Sequence, residues 1–112
     1  MKTIANIERW AEDRNLIKGS KPIKQFAKLI SEAGELADAI LKDDQASIVD
    51  GIGDMVVVLT ILAAQRGTTL EYCVDQAYQE IKDRKGIMFE GTFVKSTDAL
   101  YPPLLAQLGL KE

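Results

Sequence analysis

The chain has 112 residues, of which 46% are apolar and 28% charged, with a formal net charge of -3. That length predicts one domain over residues 1–112 with a modest core, and the composition is that of a soluble globular protein rather than a disordered one. With a pI of about 5.0 there is no basic field to hold a nucleic-acid backbone, so polymeric DNA or RNA is not an expected partner.

The first predicted helix runs from about Ile4 to Asn15, with Thr3 as its N-cap. Ile4, Ile7 and Ala11 fall on one face and Trp10 lies beside them. The loop "IKGSKP" follows. Ser20 is placed to cap a second helix, and Pro22 suits its first turn, where no backbone donor is missed. Phe26, Ile30, Ala33, Ala37 and Ile40 make a stripe at helical spacing, and the helix ends near Lys42.

Asp43 or Asp44 caps the third helix, which continues to about Gln65 before the stop signal at Gly67. Its apolar run, Met55 to Ala64, is broken by Thr60 and is shorter than the ~20 residues of a membrane span, so no membrane partner is expected. The fourth helix opens with "TTLE", where Thr68 and Glu71 have capping-box spacing. Leu70, Val74, Ala77 and Ile81 form its expected buried stripe, and Gly86 closes it. Tyr72, Tyr78 and Phe89 are expected to pack, and Cys73 reads as a small buried apolar residue. Beyond Gly86, "IMFEGTFVKSTD" is extended or looped around Gly91, and Pro102 and Pro103 precede a last helical turn, Leu104 to Leu108. Short connections make neighbouring helices antiparallel, which gives an all-α, four-helix-bundle type of fold.

One cysteine excludes an intramolecular disulfide, and Met1 to Trp10 lacks an apolar signal core, so a cytoplasmic location is expected. The absence of histidine removes histidine bases, Ser-His-Asp triads and His-ligated zinc. What remains is carboxylate chemistry. At about 100° per residue, Glu32 and Glu35 in "SEAGELAD" lie roughly 60° apart, and Asp50 and Asp54 in "VDGIGDMVVVL" only about 40° apart. Asp38 lies roughly another 60° round and toward solvent. If these helices pack antiparallel, two pairs of acids meet across the interface, and they stay ionised together only around a cation. An all-oxygen donor set without nitrogen or sulfur points to Mg²⁺, with Mn²⁺ as a substitute. Gly34, Gly51 and Gly53 flank the acids, each at a helix-propensity cost of about 1 kcal/mol, which points to close helix approach or room for a ligand. The bland alternative is that helical Glu and Asp are merely solvated. Asp54 argues against it, because Met55 to Leu59 follow directly.

These residues resemble the MazG-like nucleotide pyrophosphohydrolases, in the all-α superfamily that includes dimeric dUTPases. The likeness lies in the Glu-x-x-Glu of "SEAGELADAI" followed by "DGIGDMVVVL". It extends from Trp10 and "RNLI" through "EIKDRKG" and "FVKSTD", and is nearest to short, single-domain phage-type members. The second family motif usually reads Glu-x-x-Asp. Here Gly51 stands at its Glu, with Asp50 one residue earlier on the same helical face, and Ser31 stands where many relatives have Glu. The resemblance implies hydrolysis of a nucleoside triphosphate between its α and β phosphates, releasing the monophosphate and pyrophosphate. It implies Mg²⁺ on Glu32, Glu35, Asp50 and Asp54, with Glu32 or Glu35 as the general base. It also implies dimers or dimer pairs with sites completed by a neighbour.

Candidate phosphate-binding residues are Lys28, one turn before Glu32, and Lys82, Arg84 and Lys85 in "IKDRKG". Basic residues at a helix C-terminus also offset the helix dipole. Lys24 reads as solvated and Lys95 as a weaker phosphate candidate. Trp10 could stack on a base, although a lone tryptophan in an amphipathic helix is more often core. Asn15 could bond a base or sugar, or simply end its helix. The alternative function is a catalytically inactive metal-binding bundle that serves as a protein-interaction module.

Overall fold

The computed structural model describes residues 2–111. In chain order the elements are α1 (Lys2–Asp13), α2 (Pro22–Leu41), α3 (Gln45–Gln65), α4 (Leu70–Ile81), β1 (Gly86–Phe89), β2 (Thr92–Lys95) and α5 (Tyr101–Leu108). The predicted all-α class is borne out, and the C-terminal segment expected to be extended or looped around Gly91 forms a small hairpin. The chain forms two compact units, Met1–Gln76 and Ala77–Glu112.

In the first unit α3 is the central element and packs on both α2 and α1. Its sequence explains this. Val58 and Ile61 are buried, as are Thr60 and Ala63. Full burial of a valine side chain stabilises by roughly 1.5–3 kcal/mol. Thr60 satisfies its hydroxyl by donating to the Val56 carbonyl at 2.7 Å. By length and composition α3 is apolar enough to cross a membrane, with a mean hydropathy of 1.9 over its most apolar window. Within that window 28% of the residues are buried, and α3 packs against α1 and α2.

The α2–α3 connection is tight for a chemical reason. Asp43 adopts the left-handed conformation (φ 53) just beyond α2, and the Asp44 N–H donates back to the Ala39 carbonyl at 3.0 Å. Asp44 then caps α3, accepting from the Ser47 N–H at 3.3 Å and the Ser47 hydroxyl at 2.7 Å. That bonding holds the Asp44 carboxyl below its ordinary range.

Several local expectations are corrected. Thr3 lies inside α1 rather than capping it. Lys21 holds the α2 cap position without a side-chain bond, because the Ser20 hydroxyl instead accepts from Gln25 Nε2 at 3.0 Å. The cap of α4 is Thr69, which accepts from the Tyr72 N–H at 3.1 Å, not Thr68. The expected stripe of α4 is not buried: the helix buries no residue, and Val74, Ala77 and Ile81 are exposed. Cys73 is likewise exposed, as are Tyr72 and Tyr78, while Phe89 is half-buried.

In the second unit β1 and β2 pair antiparallel, Gly86 with Lys95 and Phe89 with Thr92. Glu90 (φ 48) and Gly91 (φ 79) make the two-residue turn, whose positive angles match the twist of the strands. Ile87 and Tyr101 are buried, and β1 packs on α5. Pro102 and Pro103 sit in the first turn of α5, and Gly109 ends it in a left-handed conformation.

Candidate functional site

The antiparallel pair α2 and α3 carries an open cleft of about 310 Å³ lined by Glu35, Asp38, Asp50 and Asp54, with Lys42 and Asp44 at the helix connection. Its width is set at Gly51. A Cβ there would lie 3.3 Å from Leu36 Cβ and Cδ1, so the glycine permits the helices to approach beside the acids. Gly34 and Gly53 face open space, and the expectation of close approach fails for them.

Glu32 is half-buried on α2. Its Oε2 is sealed from solvent without a hydrogen-bond partner. Hydrogen bonding to Glu35 raises the Glu32 pKa, helped by desolvation and by the charges of Glu35 and Asp54, while Lys28 opposes the rise. The structure therefore brings together Glu32, Glu35, Asp54 and Lys28, and places Asp50 on the same cleft. Among the described residues no three acidic side chains converge closely enough to hold an ion as they stand. The donor set is nevertheless all oxygen, and Glu32 Oε2 is a buried acceptor without a hydrogen-bond donor. Both features fit a hard divalent cation.

The other candidates lie elsewhere. Trp10 is 45% exposed, which overturns its reading as core. The Arg14 guanidinium stacks 4.8 Å from its ring centroid. Asn15 has a left-handed backbone (φ 60) after α1 and lines a second cleft of about 430 Å³ with Glu8, Glu12 and Lys18. Lys82 follows α4 and is exposed. Arg84 and Lys85 line a third cleft, within the second unit, together with Lys95. Sequence reasoning missed Lys42 on the acidic cleft. The available signal was its spacing of seven from Glu35, which returns to the same helical face.

Residues 21–89, more than half of the chain, match the MazG nucleotide pyrophosphohydrolase domain. The chain belongs to the MazG family. The matched span contains Glu32 and Glu35, Asp50 and Asp54, and the basic segment after α4. The chain is also similar, at 55% identity over 62 residues, to an uncharacterized 18.2 kDa protein encoded in the rep-hol intergenic region of Haemophilus phage HP1 (strain HP1c1). That match covers 55% of this chain and 38% of the phage protein, so the chain matches well under half of that relative's length. No solved structure matches significantly. MazG membership supports nucleotide pyrophosphohydrolase activity in general, and a phage relative is consistent with a phage-type member.

Proposed function

We propose that this MazG chain hydrolyses nucleoside triphosphates, standard or modified and including deoxynucleotides, to the monophosphate and pyrophosphate. The observation that carries the reading is the Glu32 carboxyl, sealed on one oxygen and set against Glu35 and Asp54. Such an arrangement stores like-charge repulsion that a bound cation relieves.

In this reading Glu32, Glu35, Asp50 and Asp54 hold Mg²⁺, with Mn²⁺ able to substitute. When bound, the ion would neutralise phosphate charge and lower the pKa of the attacking water. Whichever of Glu32 and Glu35 is not fully committed to the ion would accept the proton of that water as its oxygen bonds phosphorus and the bond between the α and β phosphates breaks, releasing pyrophosphate. The Glu32 pKa is raised, chiefly by hydrogen bonding to Glu35, which favours its taking up a proton. Lys28 offsets phosphate charge beside the acids, and Lys82, Arg84 and Lys85 supply further cations. Trp10 and Asn15 are the proposed contacts to base and sugar.

The proposed assembly is a homodimer or a pair of dimers. Ile23, Phe26 and Ile30 on α2, and Tyr72, Val74, Tyr78 and Ile81 on α4, are each at least 49% exposed, so each helix presents apolar side chains to solvent. The deciding experiment incubates the protein with each nucleoside triphosphate and Mg²⁺ and assays pyrophosphate. Release that disappears with Glu35→Gln supports the reading. Metal binding without turnover on any nucleotide leaves the inactive interaction module instead.

A further inference from the structure

We infer that the C-terminal hairpin carries a binding cleft for a nucleoside phosphate, in which the Phe93 ring is the stacking surface for the base and Arg84, Lys85 and Lys95 face the phosphates. The choice of a nucleotide as occupant rests on the proposed pyrophosphohydrolase activity. The cleft shares Arg84 and Lys85 with the cations proposed above, but none of the four proposed metal ligands lines it.

Strand register explains how it is built. Alternation puts Ile87 and Val94 on one face of the hairpin and Phe93 and Lys95 on the other. Ile87 is buried, whereas Phe93 is 51% exposed. An outward phenylalanine on a two-stranded hairpin needs a reason. Phe93 lies diagonally across from Gly86, and a Cβ at Gly86 would collide with its ring. The glycine therefore seats one side of the ring against backbone, a cross-strand pairing of aromatic and glycine. The rest of the ring lines a cleft of about 600 Å³.

The walls of that cleft are tied by backbone. The Ser96 N–H donates to the Lys85 carbonyl at 3.0 Å, and the Asp98 N–H to the Lys95 carbonyl at 2.9 Å. Among the residues lining it, Arg84, Lys85 and Lys95 outnumber the single carboxylate of Asp83, and Ser96 and Thr97 add hydroxyls. The cleft is thus cationic in a chain whose net charge is -3. A free phosphate would leave both the ring and most of the volume unused. An acidic peptide would leave the ring without a π partner. A base joined to phosphates uses each feature, because stacking on an aromatic side chain and charge pairing act on its two ends.

The test is calorimetric titration of the full chain in EDTA, where no metal-dependent turnover occurs, with ATP, inorganic pyrophosphate and adenosine as probes. ATP should bind about tenfold more tightly than pyrophosphate, within the range of one stacked base. Phe93→Leu should remove that advantage and leave pyrophosphate binding unchanged, and Phe93→Tyr should keep it. Lys95→Ala should weaken both ligands. Gly86→Ala is not a clean substitute for Phe93→Leu, because its Cβ would lie 2.9 Å from the Val94 carbonyl oxygen as well as against the ring. Asp54→Asn should alter none of these affinities. Equal affinity for ATP and pyrophosphate, no binding in EDTA, or indifference to Phe93→Leu and Lys95→Ala would each overturn the inference. Asp54→Asn, which should lose turnover with Mg²⁺ while keeping these affinities in EDTA, separates failure of the carboxylate site from failure of the hairpin cleft.

Discussion

Gly51 on α3 lies so close to Leu36 on α2 that a methyl group in place of its hydrogen would sit 3.3 Å from Leu36 Cβ and Cδ1. This contact bears on the departure from the usual Glu-x-x-Asp pattern. Gly51 is buried, so a glutamate there must displace Leu36 and desolvate a charge. Overpacking alone costs roughly 1–3 kcal/mol. Gly51→Glu combined with Asp50→Ala is therefore expected to lower the urea midpoint clearly. Gly51→Ala should lie near wild type, since a helix-propensity gain of about 1 kcal/mol opposes a small clash. A double variant as stable as wild type that still binds Mg²⁺ would show that the interface accommodates the usual residue.

Asp54→Asn tests the proposed metal set. Asp54 adds to the repulsion felt by Glu32, so its neutralisation should leave the metal-free protein at least as stable as wild type. Turnover with Mg²⁺ should fall by about 100-fold or more, the scale seen when one electrostatic partner of a reaction is removed. Thermal melts in EDTA and a pyrophosphate assay read the two effects separately. Near-normal turnover would move the site away from Asp54.

The acidic faces were legible because helical spacing alone places Glu32 with Glu35 and Asp50 with Asp54. A three-residue connection then forces α2 and α3 together. The hairpin was only half legible: Gly91 announced a turn, but the pairing of Gly86 with Lys95 depends on register, which a single glycine does not fix. The stripe on α4 was misjudged for a different reason. Periodicity shows that Val74, Ala77 and Ile81 share a face, but not whether the surface that covers it lies in the same chain. Thr68 and Thr69 illustrate the local limit. Either has cap chemistry, and only the hydrogen bond from the Tyr72 N–H to Thr69 decides between them.

The stability of the metal-free protein should depend on pH through Glu32. Its pKa in the folded chain lies above the ordinary value of 4.5, chiefly through its hydrogen bond with Glu35. Between those two values the folded chain holds the proton more tightly than the unfolded one. Stability is then greatest below the ordinary value and falls as pH rises through the folded value. Melting temperature in EDTA should decline across that window and level off above it. Glu32→Gln should flatten the decline, and Mg²⁺ at neutral pH should reverse it if the ion binds the ionised pair. A melting temperature that is flat in EDTA for the wild type would remove Glu32 as the source.

Assembly is the last prediction. The sequence placed the surplus apolar surface on α3, but Val58 and Ile61 there are buried, and Val56, Val57, Leu59 and Leu62 are half-buried. Val49 and Ile52 of α3 are exposed, and further apolar surface lies on α2 and α4, where Phe26 is 49% and Tyr78 57% exposed. A two-fold dimer would cover such faces with copies of themselves, the commonest solution among soluble homo-oligomers. Light scattering at low micromolar concentration should give a mass of at least twice 12.4 kDa. Phe26→Lys and Tyr78→Lys should each shift the population toward monomer, because a charge would then be buried against its own copy. If the basic segment of one chain serves the carboxylates of another, mixing Asp54→Asn chains with Arg84→Ala chains should restore part of the activity that each lacks alone. A fully active monomer would end both the dimer and the shared site. A dimer without such rescue would keep the assembly and confine each site to one chain.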